Sequence, residues 1–453
     1  MQPIKFDESK LTDETMTAVI SASAEVSEDD TYDVNEETNK TTKNIIVIGA
    51  GIVGISTALW LQRDGHSVTL IDKKGPAAGA SFGNAGVLAS GAVVPVTVPG
   101  LLRKAPKMLF SPNQPLFLKW SYLPKLIPFL RKYIKHANAV SVEKISHGLS
   151  QLLHDAPDQH FALANGTEAE KYIDLADYMY GYKDEAAFLS DHFGWDVRKR
   201  RGVNFVKMNA ESLGNYDLNL KGRFGYGIQC KNHGRIKDPG AYILNLSKHF
   251  VAKGGTILIK DVTDFEIEDG HCKSVITLKE KLIADSYVLT AGAWSGTWAA
   301  ALGVKVPMEA ERGYHIEFIN PSITLRSPLM VVGGKFVVNS MNGRMRCAGV
   351  IEFGGLDSPP AKAPFKLLKK QMAELFPDLT YDSIDEWMGH RPATADSLPI
   401  IGVSPNADNI FMGYGHHHIG LSGGPKTGRW LAKLATGAPL NVDLSAYAAD
   451  RQI

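Results

Sequence analysis

Lys43 to Lys73 reads KNIIVIGAGIVGISTALWLQRDGHSVTLIDK, and no other stretch limits the fold so tightly. Ile45 to Ile48 is a short, continuous run of β-branched residues, the pattern of a strand buried on both faces. Gly49, Gly51 and Gly54 follow in G-x-G-x-x-G spacing, then Ile55, Ala58, Leu59 and Leu61 form an apolar helical stripe ending at Asp64-Gly65. Val68 to Ile71 make a second buried strand with Asp72 at its C-terminal end. The three glycines serve, in turn, a tight turn, close approach of backbone to a pyrophosphate, and close packing of helix on strand. The helix N-terminus offers N–H groups and the positive end of its dipole to the diphosphate. Asp72, 23 positions after Gly49, stands where an acceptor for ribose hydroxyls belongs. A glycine-rich β–α turn also occurs without a ligand, but strand, helix, second strand and acid in register point to a dinucleotide. The motif alone does not choose between NAD and FAD.

At 453 residues the chain has length for roughly two or three domains. Its net charge of +1 hides an asymmetry, because residues 1–43 hold eleven Asp/Glu against four Lys. That segment is Ser/Thr-rich and poor in large apolar groups, so it reads as an acidic, flexible extension, with a short helix at most over Met16 to Ala24. Cys230, Cys272 and Cys347 are scattered and odd in number, which fits a reduced protein without disulfides or a zinc site. No apolar run reaches membrane-spanning length, and the N-terminus lacks the basic start and apolar core of a secretory signal. The expected location is the cytoplasm.

After Asp72 comes KKGPAAGASFGNAGVLASG, a loop whose small residues let backbone approach a ligand and whose Ser81 and Asn84 offer polar contacts. From Lys74 to Val142 there is no Asp or Glu. Leu101 to His136 interleaves aromatic and aliphatic residues with eight Lys/Arg. Such a segment either packs on the body with snorkelling cations or faces an anionic membrane or partner, so a peripheral position at the inner face of a membrane stays open. Residues 141–224 read as mixed helices and short strands, with ISHGLSQLLHDAPDQHFALAN and DEAAFLSDHFG each as a helix. A helix over Pro239 to Lys253, a strand over Thr256 to Ile259 and a hairpin turning at Asp269-Gly270 follow. Tyr287 to Leu289 is another buried strand, running into Ala291-Gly292-Ala293. RGYHIEF, KFVVNSM and RMRCAGVIEFGG alternate like a half-exposed antiparallel sheet, and PFKLLKKQMAELFP is an amphipathic helix. PIIGVS and NIFMGYG are strand-like, and a last helix, Leu421 to Thr436, opens at GLSGG.

With these pieces placed, the chain resembles the FAD-dependent D-amino acid oxidase superfamily, in its D-amino acid dehydrogenase-like branch. The resemblance runs from Lys43 onward through IIVIGAGIVG with Asp72, GASFGNAG, GRIKDPGAY, YVLTAGAWS, RGYHIEF, WMGHRPATADSLPIIG and GHHHIGLSGGPKTG. It implies a Rossmann-like α/β FAD-binding domain of the glutathione-reductase type and an α+β substrate domain with an antiparallel sheet over the flavin. The FAD domain would comprise residues 44–98, 145–175, 225–306 and 385–453, and the substrate domain 99–144, 176–224 and 307–384. Carried over by motif, Gly49, Ala50, Gly51, Ile52, Val53 and Gly54 would hold the diphosphate, Asp72 and Lys73 the adenosine ribose, and Val262 the adenine. Ser81, Asn84, Ala85 and Gly86 would lie along the flavin, with Ala291, Gly292 and Trp294 packed on the cofactor. Gly415, Ile419, Gly420 and Leu421 would bring a helix N-terminus near the flavin pyrimidine ring, where a positive dipole end favours the reduced, anionic form. GASFGNAG contains neither Cys nor His, so FAD is expected to be non-covalent.

For amine oxidation the substrate needs a fixed carboxylate and a Cα–H aimed at the acceptor, so positioning is most of the catalysis. Arg391, read as lying in a GHRP turn, and Arg346, on the RMRCAGVIEF strand with Arg344 on the same face, are the candidate carboxylate holders. Tyr314 and His315 are adjacent on a strand, so alternation lets only one face a pocket. His416 and His418 are candidate wall groups or proton acceptors, and neighbouring His in a turn diverge too far to share a metal. The leading expectation is an FAD-dependent dehydrogenase acting on the C–N bond of a D-amino acid or a cyclic imino acid of the D-proline or D-hydroxyproline type. Its electrons would pass to a quinone, an electron carrier or oxygen. Oxidation of a glycine-like or N-methyl amine or of a hydroxy acid, and a non-catalytic flavin- or NAD-binding role, are the alternatives. No nucleic-acid recognition motif is present.

Overall fold

The computed structural model describes residues 42–100 and 116–453. The helix expected within Met16 to Ala24, and residues 101–115 of the basic aromatic segment, lie outside them. The first sheet has six strands in the order Ile400–Ser404, Ala407–Tyr414, Ser286–Leu289, Asn44–Ile48, Ser67–Asp72 and Thr256–Ile259. All neighbours run parallel except the first pair, which is an antiparallel hairpin. Its central strand explains the unbroken apolar run in the sequence. Ile45 and Val47 pack under the helices Ile52–Arg63 and Gly420–Thr436, while Ile46 and Ile48 join the core beneath a three-stranded antiparallel sheet. That small sheet is Lys281–Leu282, His271–Thr277 and Val262–Glu268.

The turn after the first strand is as tight as its glycines require. Gly49 has φ +104°, and a Cβ there would sit 2.5 Å from the Thr290 carbonyl oxygen. A Cβ on Gly54 would lie 1.8 Å from the Gly49 carbonyl oxygen, so helix and strand can approach this closely only without a side chain.

The second sheet runs Ser383–Thr394, Met308–Ile319, Arg344–Phe353, Phe336–Met341, Leu329–Val331, Ile173–Tyr182, Tyr226–Ile236 and Val87–Leu88, with Leu116–Leu118 and Phe205–Asn209 paired alongside. Pairing is antiparallel except at Leu329–Val331 with Ile173–Tyr182 and at Leu116–Leu118 with Arg344–Phe353. The helix Lys362–Leu375 covers one face, through a core that includes Ile316, Phe365 and Leu368.

Several elements depart from the sequence expectations for physical reasons. Met308–Ile319 is buried almost throughout rather than half exposed, because helix Lys362–Leu375 closes one face and the cavity and loop 81–86 the other. Arg391 sits in the twelve-residue strand Ser383–Thr394 and not in a turn. Residues 385–394, expected with the FAD segments, therefore belong to the second sheet, as does Tyr226–Ile236. ISHGLSQLLHDAPDQHFALAN is two helices, Ala139–Leu153 and Ala156–Ala164, broken where Pro157 lacks an N–H to continue the first. DEAAFLSDHFG likewise splits, into Glu185–Leu189 and His192–Arg200. The described part of the basic segment forms helix Leu123–Lys135, whose Leu126, Phe129 and Tyr133 pack against Ala393 and Ala395. Among the described residues no helix is long and apolar enough to cross a membrane.

Gly54→Ala should cost at least about 2 kcal/mol of unfolding free energy by overpacking, read from chemical denaturation, whereas the same change at exposed Gly333, where a Cβ would meet nothing within 4 Å, should not.

Candidate active site

One cavity of about 750 Å³ runs between the C-terminal ends of the parallel strands and the inner face of the second sheet. Its walls take Asp72, Lys73 and Val262 at one end and His418, Ile419 and Gly420 at the other. Asp72 stands at the end of its strand and accepts N–H bonds from Ala50 (2.8 Å), Lys74 (2.8 Å) and Gly75 (3.0 Å). The Lys73 ammonium lies 4.2 Å from the Trp294 ring centroid, at the same end. Helices Ile52–Arg63 and Gly420–Thr436 both begin at the cavity, neither with a side-chain cap on its N-cap residue. Ser81 Oγ accepts from Ile52 N at 3.0 Å.

Loop 81–86 is held from the second sheet. Arg346 Nη1 donates to the carbonyls of Phe82 (2.8 Å) and Asn84, Asn339 Nδ2 to that of Ala85 (2.9 Å), and His315 Nδ1 lies 3.0 Å from that of Gly83. Arg346 is fully buried and pairs with Glu317 at 2.8 Å, which also takes Arg344 at 2.7 Å. Burial alone would raise the Glu317 pKa, but the two guanidiniums outweigh it and hold the carboxyl below its ordinary range.

At the other end, Arg391 and Glu311 face each other across neighbouring strands, Nη1 to Oε1 at 3.0 Å. The Arg391 side chain crosses Gly313, where a Cβ would come within 2.5 Å of its guanidinium carbon. Glu311 Oε2 lies 3.8 Å from His417 Nδ1, a buried nitrogen without a hydrogen-bond partner. Desolvation pushes the Glu311 pKa up, yet His417 and Arg391 bring it below the usual carboxylate value. His416 bonds Thr427 Oγ1 at 2.9 Å, and burial lowers its pKa to about 3. Burial lowers that of His418 to about 4, so both rings are neutral at neutral pH.

Of the candidate residues, Arg391, Tyr314, His416 and His418 line the cavity, as do Gly49, Gly51, Ile52, Val53, Ser81, Asn84, Ala85, Ala291, Gly292 and Leu421. Ala50, Gly54, Gly86 and Gly415 support the wall from behind and do not line it. Three catalytic candidates are placed differently from their expectation. Arg346 is outside the cavity wall, spent on Glu317 and loop 81–86. Tyr314 touches the wall, but its hydroxyl donates to Glu352 and accepts from Ala361 N at 3.0 Å. His315 stacks on Trp387, with ring centroids 5.0 Å apart, and serves the loop. Sequence reasoning misses Glu311 and His417. The available signal for Glu311 is its place two residues before Gly313 on a strand already read as facing the site, and for His417 its place between two candidate histidines. Among the described residues, no group of three or more His, Cys, Asp or Glu is placed to hold a metal ion.

A parallel sheet with a glycine turn, a long cavity spanning two helix N-termini and a second sheet along its far side define a protein of the dinucleotide-binding class. Comparison with known proteins makes this specific. Residues 44–434 match the family model described as DAO, FAD dependent oxidoreductase, and the chain belongs to that family. A D-amino-acid oxidase of Bradyrhizobium diazoefficiens is 36% identical over 416 residues, 90% of this chain and 99% of that protein. A D-amino acid dehydrogenase of Allorhizobium ampelinum is 26% identical over 434 residues, again 90% and 99%. Among solved structures, glycine oxidase from Geobacillus kaustophilus shares the fold with a TM-score of 0.69, covering 91% of this chain and 99% of that one at 18% identity.

The residues fit FAD. The cavity is continuous from Asp72 to Gly420, and at Gly292, in its wall, a Cβ would meet no atom within 4 Å. Gly49, Gly51 and the first turn after Gly51 would hold the diphosphate, Asp72 a ribose, and the first turn of Gly420–Thr436 the ring that gains charge on reduction.

Arg346→Met should lose FAD during gel filtration and cost about 3 kcal/mol or more of stability, because it leaves Glu317 partly uncompensated in a buried site. Both Glu311 and Glu317 have folded pKa values below their unfolded ones. Their contribution to stability is complete above the unfolded value near about 4.3 and is lost as pH falls through the folded values. Denaturation curves between about pH 3 and 6 should show this acid limb, and Glu317→Gln should flatten it.

Proposed function

We propose that this chain oxidises the C–N bond of a D-amino acid, or of a cyclic imino acid of the D-proline or D-hydroxyproline type, with bound FAD as the immediate acceptor. The observation that carries the reading is the Arg391–Glu311 pair in the cavity wall. A guanidinium beside a carboxylate is the charge complement of an amino acid zwitterion. Arg391 gives only Nη1 to Glu311, which leaves Nη2 and Nε for a substrate carboxylate. Glu311 gives only Oε1 to Arg391, so Oε2 is available to the substrate nitrogen. His417 Nδ1, 3.8 Å from Oε2, adjoins the same point and is an unpartnered acceptor, beside Oε2 itself, for the proton that the nitrogen sheds. FAD, when bound, supplies the acceptor for the hydride leaving Cα.

The wall around these groups does the rest. Neutral His416 and His418 bring no competing cation to the carboxylate site. The packing of Arg391 over Gly313 fixes the direction of its guanidinium. Two-point fixation of carboxylate and nitrogen leaves one face of Cα toward the cofactor, and thus selects one enantiomer. The D configuration is supported by the names of the relatives that match over nearly their whole length. The imine product would be released to water, and reoxidation by a quinone, an electron carrier or oxygen would complete the cycle.

The holoenzyme mixed anaerobically with a panel of D-amino acids, D-proline and D-hydroxyproline should lose its oxidised flavin absorbance with at least one of them and not with the L forms. Flavin that stays oxidised across the panel rejects the proposal. Arg391→Ala should raise KM about 100-fold or more, and Glu311→Gln should reduce kcat/KM by a similar factor. An unchanged KM in the first variant removes Arg391 from the substrate site.

A further inference from the structure

The cavity does not end at Arg391. Its wall continues along one row of the second sheet, in which Ala348, Val337, Met330 and Tyr180 are successive cross-strand neighbours. At about 4.8 Å per strand, the row spans roughly 14 Å measured along the sheet. The row meets the strand Met308–Ile319 at His315, two residues from Gly313, over which the Arg391 guanidinium lies, and before Tyr180 it offers the aliphatic side chains of Ala348, Val337 and Met330, which suit methylene groups.

The row ends on a cation. Arg198, from helix His192–Arg200, lines the cavity with its guanidinium carbon 5.4 Å from the Tyr180 ring centroid and 4.7 Å from that of Trp195. Its Nε is buried and has no hydrogen-bond partner. Among the described residues it forms no ion pair. The acid that acts on it, Asp191, spends Oδ2 on the Tyr182 hydroxyl at 2.9 Å. Aromatic faces offset part of the cost of holding a guanidinium away from water, and the Tyr180 hydroxyl meets it by a side-chain hydrogen bond, yet Nε stays unsatisfied. A cation so placed favours a ligand that brings an anionic acceptor.

Building on the amino acid reading above, we propose that Arg198 closes a distal subsite for the substrate side chain. The preferred amino acids then carry a second carboxylate at the end of an aliphatic chain. Arg391 and Glu311 hold the α-carboxylate and nitrogen, the aliphatic row takes the methylenes, and Arg198 receives the terminal carboxylate.

The test compares kcat/KM of the holoenzyme for D-glutamate, D-2-aminoadipate and D-2-aminopimelate with the uncharged chains of the same length, D-norvaline, D-norleucine and D-2-aminoheptanoate. At the best length the dicarboxylate should be favoured about 10-fold or more, and Arg198→Met should erase that ratio. Preference for the uncharged chain at every length, or a ratio that Arg198→Met does not change, overturns the subsite and leaves Arg198 as a staple between Tyr180 and Trp195. Should the variant fail to fold, wild-type protein decides. Glutarate, adipate or pimelate should perturb the flavin spectrum at lower concentration than butyrate or hexanoate, and equal or weaker binding overturns the proposal. Flavin that no amino acid reduces is a different result, which rejects the amino acid reading itself.

Discussion

Arg346 joins the two halves of this protein. It rises from the second sheet, neutralises Glu317 beside it and gives Nη1 to two carbonyls of loop 81–86. That loop follows the dinucleotide motif in sequence and lines the cavity, so its position relative to the first sheet sets the width of the site. A lysine could not do this work, because one point charge cannot reach a carboxylate and two carbonyls in a fixed fork. The buried pair adds little net stability by itself, since both ions lose their hydration. Its effect is geometric: backbone carbonyls that would otherwise face an apolar core are given a defined direction.

The same device recurs along the strand Met308–Ile319. Glu311 pairs with Arg391, Arg312 with Glu352 at 2.7 Å, and Glu317 with Arg346 and Arg344. Each pair is cross-strand, and each fixes a side chain that a plain β ladder would leave free to choose rotamers. Arg312 and Tyr314 share Glu352 on the face covered by helix Lys362–Leu375, whereas Glu311 and Gly313 face the cavity. Alternation thus separates a structural network from a substrate-facing one between adjacent residues. Of all the charges on this strand, Glu311 is the one that lines the cavity.

Much of the fold is legible in the chain because its signals are local. The strands Asn44–Ile48, Ser67–Asp72 and Thr256–Ile259 and the helices Pro239–Ala252 and Gly420–Thr436 have contiguous apolar patterns with clear stops. Met308–Ile319 reads as half exposed because charged residues in a buried strand mimic the polar face of an exposed one. Ser383–Thr394 reads partly as a turn because Gly389 and Pro392 usually break strands. Pro392 is tolerated near its end, where the chain leaves the sheet toward Ala395. The catalytic candidates divide by the same rule. Arg391 reaches the cavity, while Arg346, equally basic and equally central in its motif, is turned to the loop.

The amino-acid sequence alone determined the dinucleotide cradle, since every part of it is encoded within thirty-one residues by backbone requirements that only glycine and a terminal acid meet. It also determined that a second cradle lies near GLSGG, because a helix start is a local property. Tertiary structure decided the substrate end. Glu311 and Arg391 are 80 residues apart, and the Arg198 end of the cavity comes from a third segment. Whether each faces the cavity or the core depends on strand register and on which helix covers the sheet. Those are long-range facts, set by packing, that no local pattern carries.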